Sequence, residues 1–174
     1  MLFRNATPAD ADTIAHFHAL SWRSAYRGIL CDDFLDHKVV SNRLHRWRSR
    51  MLPQTPDNML IRLACEGVHL KGFVCVQLDH DPQWGALIDN LHVHPESKGQ
   101  GIGRQLMAAA AEWVRRKRPL SNLHLYALEA NHPARTFYHR LGGQPSERIL
   151  REAPDGSDLP EVRYSWSPPF QSLL

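Results

Sequence analysis

Apolar and polar positions follow two different periods along this chain. Leu2–Asn5 reads as a short strand, and Thr7-Pro8-Ala9-Asp10 then announces a helix. Thr is a good N-cap, Pro suits the first helical position, and the acid three residues on completes a capping box. Ala11, Ile14, Ala15, His18, Trp22 and Ala25 recur at helical spacing until Gly28 stops them. A second helical stretch follows Asp32-Asp33, with Leu35, Val39, Leu44, Trp47 and Met51 on its apolar side, and Pro53 and Pro56 end it. From Asn58 the period shortens. Met59–Glu66 and Leu70–Leu78, joined at Glu66-Gly67, form an expected antiparallel hairpin, and Trp84–Val93 a further strand. After a glycine-rich loop comes a helix from Ile102 to about Lys117, with Ile102, Leu106, Ala109 or Ala110, and Trp113 on its inner face, closed by Pro119. Leu123–Leu128 is a strand, Pro133–Arg140 a short helix ended by Gly142-Gly143, and strands near Glu147–Arg151 and Leu159–Trp166 finish the pattern. The order β-α-α-β-β-β-α-β-α-β-β predicts a mixed α/β (α+β) fold around one largely antiparallel sheet.

Composition narrows this little. At 174 residues, 43% hydrophobic and 22% charged, the chain suits one globular domain. A net charge of +3 permits an anionic ligand without demanding nucleic acid. No basic region leads into an apolar stretch at the N-terminus, and no apolar run approaches a bilayer's thickness; neither a signal peptide nor a membrane is expected. Cys31, Cys65 and Cys75 are odd in number and lack metal-type spacing, which fits a reducing cytoplasm; Cys65 and Cys75 read as small core residues.

The chemistry concentrates in Ile88-Asp-Asn-Leu-His-Val-His-Pro-Glu-Ser-Lys-Gly-Gln-Gly-Ile-Gly-Arg-Gln-Leu106. A strand leads into a loop carrying Gly99, Gly101 and Gly103, and the loop opens directly into a helix. Glycines let backbone N–H groups approach an anion, and a helix N-terminus adds unsatisfied donors and a positive dipole end. Lys98 and Arg104 flank the loop with positive charge. A plain surface turn would show the same glycines. The Walker spacing is missing, and the dinucleotide fingerprint fails because Arg104 and Leu106 stand where a glycine is needed.

Lys98-Gly-Gln-Gly101-Ile-Gly103 resembles the phosphate-loop signature of the GNAT N-acetyltransferase superfamily, with Lys98 in place of its usual Gln or Arg. Asp89-Asn-Leu-His-Val-His-Pro95 upstream and Leu128-Glu-Ala-Asn131-His-Pro-Ala134-Arg-Thr-Phe-Tyr138-His-Arg-Leu-Gly-Gly143 downstream resemble the same family in the expected places. The resemblance implies the GNAT acyl-CoA N-acyltransferase fold: a mixed, mostly antiparallel sheet of six to seven strands flanked by about four helices. It implies a single domain over residues 1–174, with a cofactor-binding core at about 86–145 and acceptor-side helices at about 8–52. The co-substrate is then acetyl-CoA, without a metal.

Further implications concern individual residues. Backbone groups of Leu91 and Val93 would hold the pantetheine arm like an added strand. A main-chain N–H near Leu91 or His92 would polarise the thioester carbonyl. The pyrophosphate would rest on the N–H groups of Gly99, Gln100, Gly101, Ile102, Gly103 and Arg104. Asn131, a natural helix N-cap, and Ala134 would also touch the cofactor. Tyr138 is the candidate general acid for the departing thiolate, against its plain reading as a half-buried helix residue beside Phe137. Asp89 is the candidate base for the amine, with Glu129, His92 and bulk solvent as rivals. Trp22 and Tyr26 would wall the acceptor site or simply pack in the core. His92 and His94 lack a third metal ligand at suitable spacing. Arg115-Arg-Lys-Arg118 reads as solvated surface, with the cofactor's ribose phosphate or a nucleic acid as alternatives. The acceptor expected is a small-molecule or peptide amine, and a second copy of the chain is a candidate partner. Asp32, Asp33 and Asp36 would suit a cationic acceptor; Arg43, Arg46, Arg48 and Arg50 an anionic one. A non-catalytic acyl-CoA-binding module is the alternative function.

Overall fold

The computed structural model describes residues 1–174. Its strands are β1 (Leu2–Asn5), β2 (Met59–Glu66), β3 (His69–Asp81), β4 (Gly85–Val93), β5 (Leu123–Leu128), β6 (Gln144–Glu152) and β7 (Asp158–Trp166). The helices are α1 (Ala11–Ala25), α2 (Val39–Met51), α3 (Ile102–Lys117) and α4 (His132–Arg140). All seven strands form one sheet in the order β1-β2-β3-β4-β5-β7-β6, antiparallel except for the β4–β5 pair. This is the expected mixed sheet with four flanking helices.

Alternate residues of the central strands feed two cores on opposite faces of the sheet. Leu60, Ala64, Val74 and Val76 pack against Ile102, Leu106, Met107, Ala110 and Val114 of α3. Ile61, Leu63, Phe73 and Cys75 pack against Ile14 and Phe17 of α1 and Trp47 and Met51 of α2. Strands covered on both faces read as nearly unbroken apolar runs, which is why β2 and β3 were legible. Trp113 departs from expectation: the buried stripe of α3 runs Ile102-Leu106-Ala110-Val114 with Met107 and Ala111, and Trp113 lies half-buried on its flank.

The start of α1 forms as its capping box requires, with one addition. Pro8–Asp10 makes a 3-10 turn before the α-helix, and the Asp10 carboxylate accepts from Thr7 N–H at 2.7 Å while pairing with Arg4 at 2.7 Å. These bonds hold its pKa down at about 2. Ahead of α2, Phe34–Lys38 takes one wider π-helical turn that the apolar spacing did not announce. At the far edge β6 is exposed along nearly its whole length, and its Pro145 and alternating charges protect that open edge from further pairing.

Candidate acyl-donor cleft

The site begins where two strands part. Ala86 pairs with Leu123 and Leu87 with His124; beyond them β4 and β5 share no register. In the same stretch β4 carries an extra residue against β3: Val76 pairs with Ile88 and Cys75 with Asn90, so Asp89 is bulged out. The bulge shifts the side-chain phase. Ile88 and Leu91 both face the α3 core, whereas Asp89 turns toward α2, where it meets Arg46 and Arg50. Past the bulge, His94 N–H donates to Lys71 O on β3 at 2.8 Å. Backbone groups of an antiparallel strand address opposite neighbours at alternate residues, so Leu91 and Val93 aim theirs into the gap beside β5. Gly72 permits this close pairing, since a Cβ there would stand 2.9 Å from His92 O.

The glycine loop closes one end of the gap. Gly99 and Gly101 have φ of +80° and +79°, a left-handed backbone costly for other residues, and Gly101 is the N-cap of α3. The first helical bond runs from Gln105 N–H to Gly101 O at 3.1 Å. Every N–H from Gly99 to Arg104 therefore lacks an acceptor within the chain. Of these, Gly99, Gly101, Ile102, Gly103 and Arg104 line the gap at the positive end of the α3 dipole, together with Lys98.

Across the gap stands α4. Asn131 caps it, its Oδ1 accepting from Ala134 N–H at 3.3 Å. Phe137 lies so close to Gly103 that a Cβ there would meet its ring at 3.1 Å, locking α4 against the start of α3. The two helices, the parted strands and the end of α1 enclose a cleft of about 370 Å³. Tyr138 lines it while being only 8% exposed, and its hydroxyl bonds to nothing in the chain. Burial, helped by nearby Tyr26, pushes the Tyr138 pKa up, so the group stays protonated.

The wall formed by α1 is aromatic and uncharged. His92 shares a 2.9 Å hydrogen bond with Ser21 and stacks on His18 with ring centroids 4.3 Å apart. Burial, then the Arg43 charge, lowers His92 to about 3. His18 is fully enclosed and held well below the usual imidazole range. Its Nδ1 accepts from the Trp47 indole at 3.0 Å, and its Nε2 has no partner. Tyr26 is raised to about 12 by burial and then by Glu161.

Most residues singled out from the sequence meet in this cleft: Tyr26, Leu91, His92, Val93, Lys98, Gly99, Gly101, Ile102, Gly103, Arg104, Asn131, Ala134 and Tyr138. Gln100, Asp89 and Trp22 do not line it. Gln100 folds back, its amide donating to Glu96 O at 3.4 Å. Asp89 is ion-paired with Arg46 at 3.3 Å and with Arg50, and these charges hold its carboxyl below the usual range despite burial. A carboxylate so neutralised is a weaker base than the sequence suggested. Glu129 is likewise taken, by Arg148 at 3.0 Å. Trp22 packs beside the cleft, 5.3 Å from the Tyr26 ring, under the Arg43 guanidinium. Ser21, Ser97, Tyr126, Leu128 and Phe137 line the cleft unpredicted. Ser97, Leu128 and Phe137 lie within the segments the sequence marked, whereas Ser21 and Tyr126 carried no signal. No three His, Cys, Asp or Glu side chains gather to hold a metal ion.

A splayed β4–β5 pair with a glycine nest at the start of the next helix defines an acyl-CoA-dependent transferase architecture. The chain belongs to the GNAT acetyltransferase family, whose family model, described as Acetyltransferase (GNAT) family, matches residues 22–143. It is thereby an acetyl-CoA-dependent N-acetyltransferase. A probable N-acetyltransferase of Mycobacterium tuberculosis is 28% identical over 164 residues, covering 92% of this chain and 90% of that protein. The same fold occurs in the PaiA N-acetyltransferase of Thermoplasma acidophilum in complex with coenzyme A, at a TM-score of 0.69 and 20% identity, covering 95% of this chain and 98% of that one. A putative acetyltransferase of Salmonella typhimurium with acetyl-CoA superposes at 0.68 and 19% identity, covering 96% and 93%. No helix is long and apolar enough to cross a membrane.

Proposed function

We propose that this protein moves the acetyl group of acetyl-CoA to a primary amine by direct attack, both substrates being bound together. The observation that carries the reading is the run of unbonded N–H groups from Gly99 to Arg104 at the mouth of a cleft between parted strands. Those donors, with Lys98 and Arg104, suit a pyrophosphate. The exposed edge of β4 suits the amide-bearing pantetheine arm, which Leu91 and Val93 hold as an added strand and Asn131 and Ala134 support from α4. The cofactor supplies an acyl carbon activated as a thioester. Leu91 N–H faces the gap and stabilises charge developing on the carbonyl oxygen, whereas His92 N–H is turned to β3.

Tyr138 gives its proton to the departing thiolate. Unperturbed tyrosine and thiol pKa values of about 10 and 8.5 put that transfer roughly 2 kcal/mol uphill. Burial raises the tyrosine further, but it raises a thiolate leaving into the same cleft as well, so the two effects oppose each other. The incoming ammonium gives its proton to solvent reaching the cleft, because His92 is too weak a base and Asp89 is held by two arginines.

Incubation with acetyl-CoA and a broad amine panel, following free thiol, tests the reading. Amine-dependent thiol release is expected. Tight coenzyme A binding with no release from any amine would leave a non-catalytic acyl-CoA-binding module instead.

A further inference from the structure

A second recess, of about 650 Å³, shares no lining residue with the cleft. Asn42, Arg43, His45, Arg46, Ser49 and Arg50 of α2 line it, together with Pro154 from the β6–β7 connection. No carboxylate lines it. Asp89 answers Arg46 and Arg50 from outside the lining, one acid against two bases.

Arg43 is the unusual member. It is only 5% exposed, yet its sole polar partner is the neighbouring Asn42 side chain, and no acid pairs with it. Its guanidinium lies 4.1 Å from the Trp22 ring centre. A buried cation with no acid paired to it, near only the Asp89 charge that Arg46 and Arg50 already share, is costly, and burial, then the Arg46 charge, lowers its pKa to about 10. An anion brought by a ligand would offset that cost.

The surrounding charges support the same conclusion by elimination. The acids ahead of α2 lie outside the recess and each has a partner: Asp32 and Asp36 share Arg27 at 2.9 and 2.6 Å, and Asp33 pairs with Lys38 at 2.7 Å. Arg48 is spent on Asp12 at 2.7 Å. What remains unanswered is Arg43 and the surplus of Arg46 and Arg50. Arg43 also joins the two cavities: it lines the recess, while its charge acts on His92 and Tyr26 in the cleft wall.

Resting on the acetyltransferase reading, we infer that the acceptor is a small amine that also carries an anionic group, a carboxylate or a phosphate, and that Arg43, backed by Arg46 and Arg50, holds that group in the recess. Guanidinium is the fitting chemistry, since its planar fork meets either anion with paired hydrogen bonds.

Matched acceptors test it, using the full chain and thiol release: amino acids against their carboxamides, and O-phosphoethanolamine against ethanolamine. At least one anionic set should be acetylated with kcat/KM tenfold or more above its neutral partners, and the preferred set tells carboxylate from phosphate. In Arg43→Met that preference should vanish through a rise in acceptor KM, with the KM for acetyl-CoA within twofold, and Arg43→Lys should restore part of it. Neutral partners used equally well would overturn the inference while leaving the transferase intact. A second readout needs no turnover. Acetate or inorganic phosphate, titrated while Trp fluorescence is followed, should give a saturable change in the wild type that Arg43→Met lacks; no saturable change with either anion would overturn the inference. Failure to release thiol from any amine would count against the transferase reading alone, because the anion titration stands apart from it.

Discussion

The donor cleft and the α2 recess recognise ligands by opposite means. The cleft works with backbone: unbonded N–H groups of a left-handed glycine loop, one strand edge left open by a parted neighbour, and a helix dipole. Charged side chains appear only at its mouth, as Lys98 and Arg104. The recess works with side chains, with Arg43, Arg46 and Arg50 projecting from one helix. Backbone recognition demands glycines at fixed spacing and so tolerates little change. Side-chain recognition lets the acceptor vary while the fold stays the same.

The largest effect is expected inside the donor cleft, at Tyr138. If its hydroxyl protonates the thiolate, Tyr138→Phe should lower kcat by about 100-fold, within the range general acids supply, with the KM for acetyl-CoA changed less than threefold. The ring that packs beside Tyr164 and Trp166 is kept, so the melting temperature should hardly move. Steady-state kinetics and a thermal melt read both quantities. A kcat within threefold of wild type would remove the assigned role.

The backbone half is tested by strain rather than charge. Gly101→Val forces a β-branched residue to φ +79°, at about 1–2 kcal/mol, although nothing but Gln105 lies within 4 Å of the new Cβ. If the loop relaxes and turns its N–H groups away, the KM for acetyl-CoA should rise roughly tenfold, since about 1.4 kcal/mol is a factor of ten. Gly28→Val is the matched control, with φ +78° and open space around it, but outside the cleft. It should cost stability by a similar amount and leave that KM unchanged. Equal KM values for the two variants would mean that the nest does not bind the donor.

The same contrast explains what could be read in advance. The loop, the strand before it and α4 were legible because each obeys a local rule: glycine spacing, an apolar run, an Asn N-cap with Pro just inside. The parting of β4 from β5 was legible only through the family resemblance, as the open strand edge at Leu91 and Val93, and the bulge at Asp89 was not legible at all, since both depend on how neighbouring strands register and no local pattern encodes that. Asp89 shows the consequence. Its place on β4 suggested a base near the thioester, but the bulge turns it toward α2 and two arginines. Ser21 and Tyr126 reach the cleft only through the packing of α1 and β5 around it, and nothing near them in the chain marks them. Arg43 shows the limit most clearly. Four arginines on α2 look alike in sequence, and only the structure separates the buried, unpaired one from Arg48, paired with Asp12 on the surface.

The aromatic wall between the two regions should reveal itself through pH. His18 must keep a lone pair on Nδ1 to accept the Trp47 indole N–H, so the folded ring is neutral. The charges of Arg43, Arg46 and Arg50 reinforce burial in keeping it so. An unfolded chain binds protons on both imidazoles near pH 6.5, whereas folded His92 resists until about 3. The unfolded state therefore holds more protons in this window, and stability is lost as pH falls from about 6.5 toward 3. Each excluded proton contributes at most about 1.4 kcal/mol per pH unit to the slope. In His18→Phe, urea unfolding at pH 7.5, 6 and 5 should show a slope shallower by up to that amount, even if the lost Trp47 bond lowers stability at every pH. An unchanged slope would mean His18 is not the proton-excluding group.

The smallest effect is expected from the most conspicuous charges in the chain. Arg115-Arg-Lys-Arg118 could serve the cofactor's ribose phosphate on sequence grounds, but it lies at the C-terminal end of α3 while the nest lies at the N-terminal end. A helix of 16 residues spans about 24 Å, so the run is far from the phosphates the loop would bind. Its charges are also largely answered: Arg115 pairs with Glu112 at 2.8 Å, Arg116 approaches the same carboxylate at 3.7 Å, and Arg118 pairs with Asp79 at 2.7 Å. Exposed pairs of this kind are each worth at most about 1 kcal/mol and fade with salt. The double variant Arg115→Ala/Arg116→Ala should therefore leave the KM for acetyl-CoA within twofold, while Lys98→Ala/Arg104→Ala, removing two unpaired cations at the cleft mouth, should raise it several-fold at low salt. If the distant pair instead raised KM as much as the near one, donor recognition would depend on the field of the whole helix surface, and the contrast between a backbone half and a side-chain half would no longer hold.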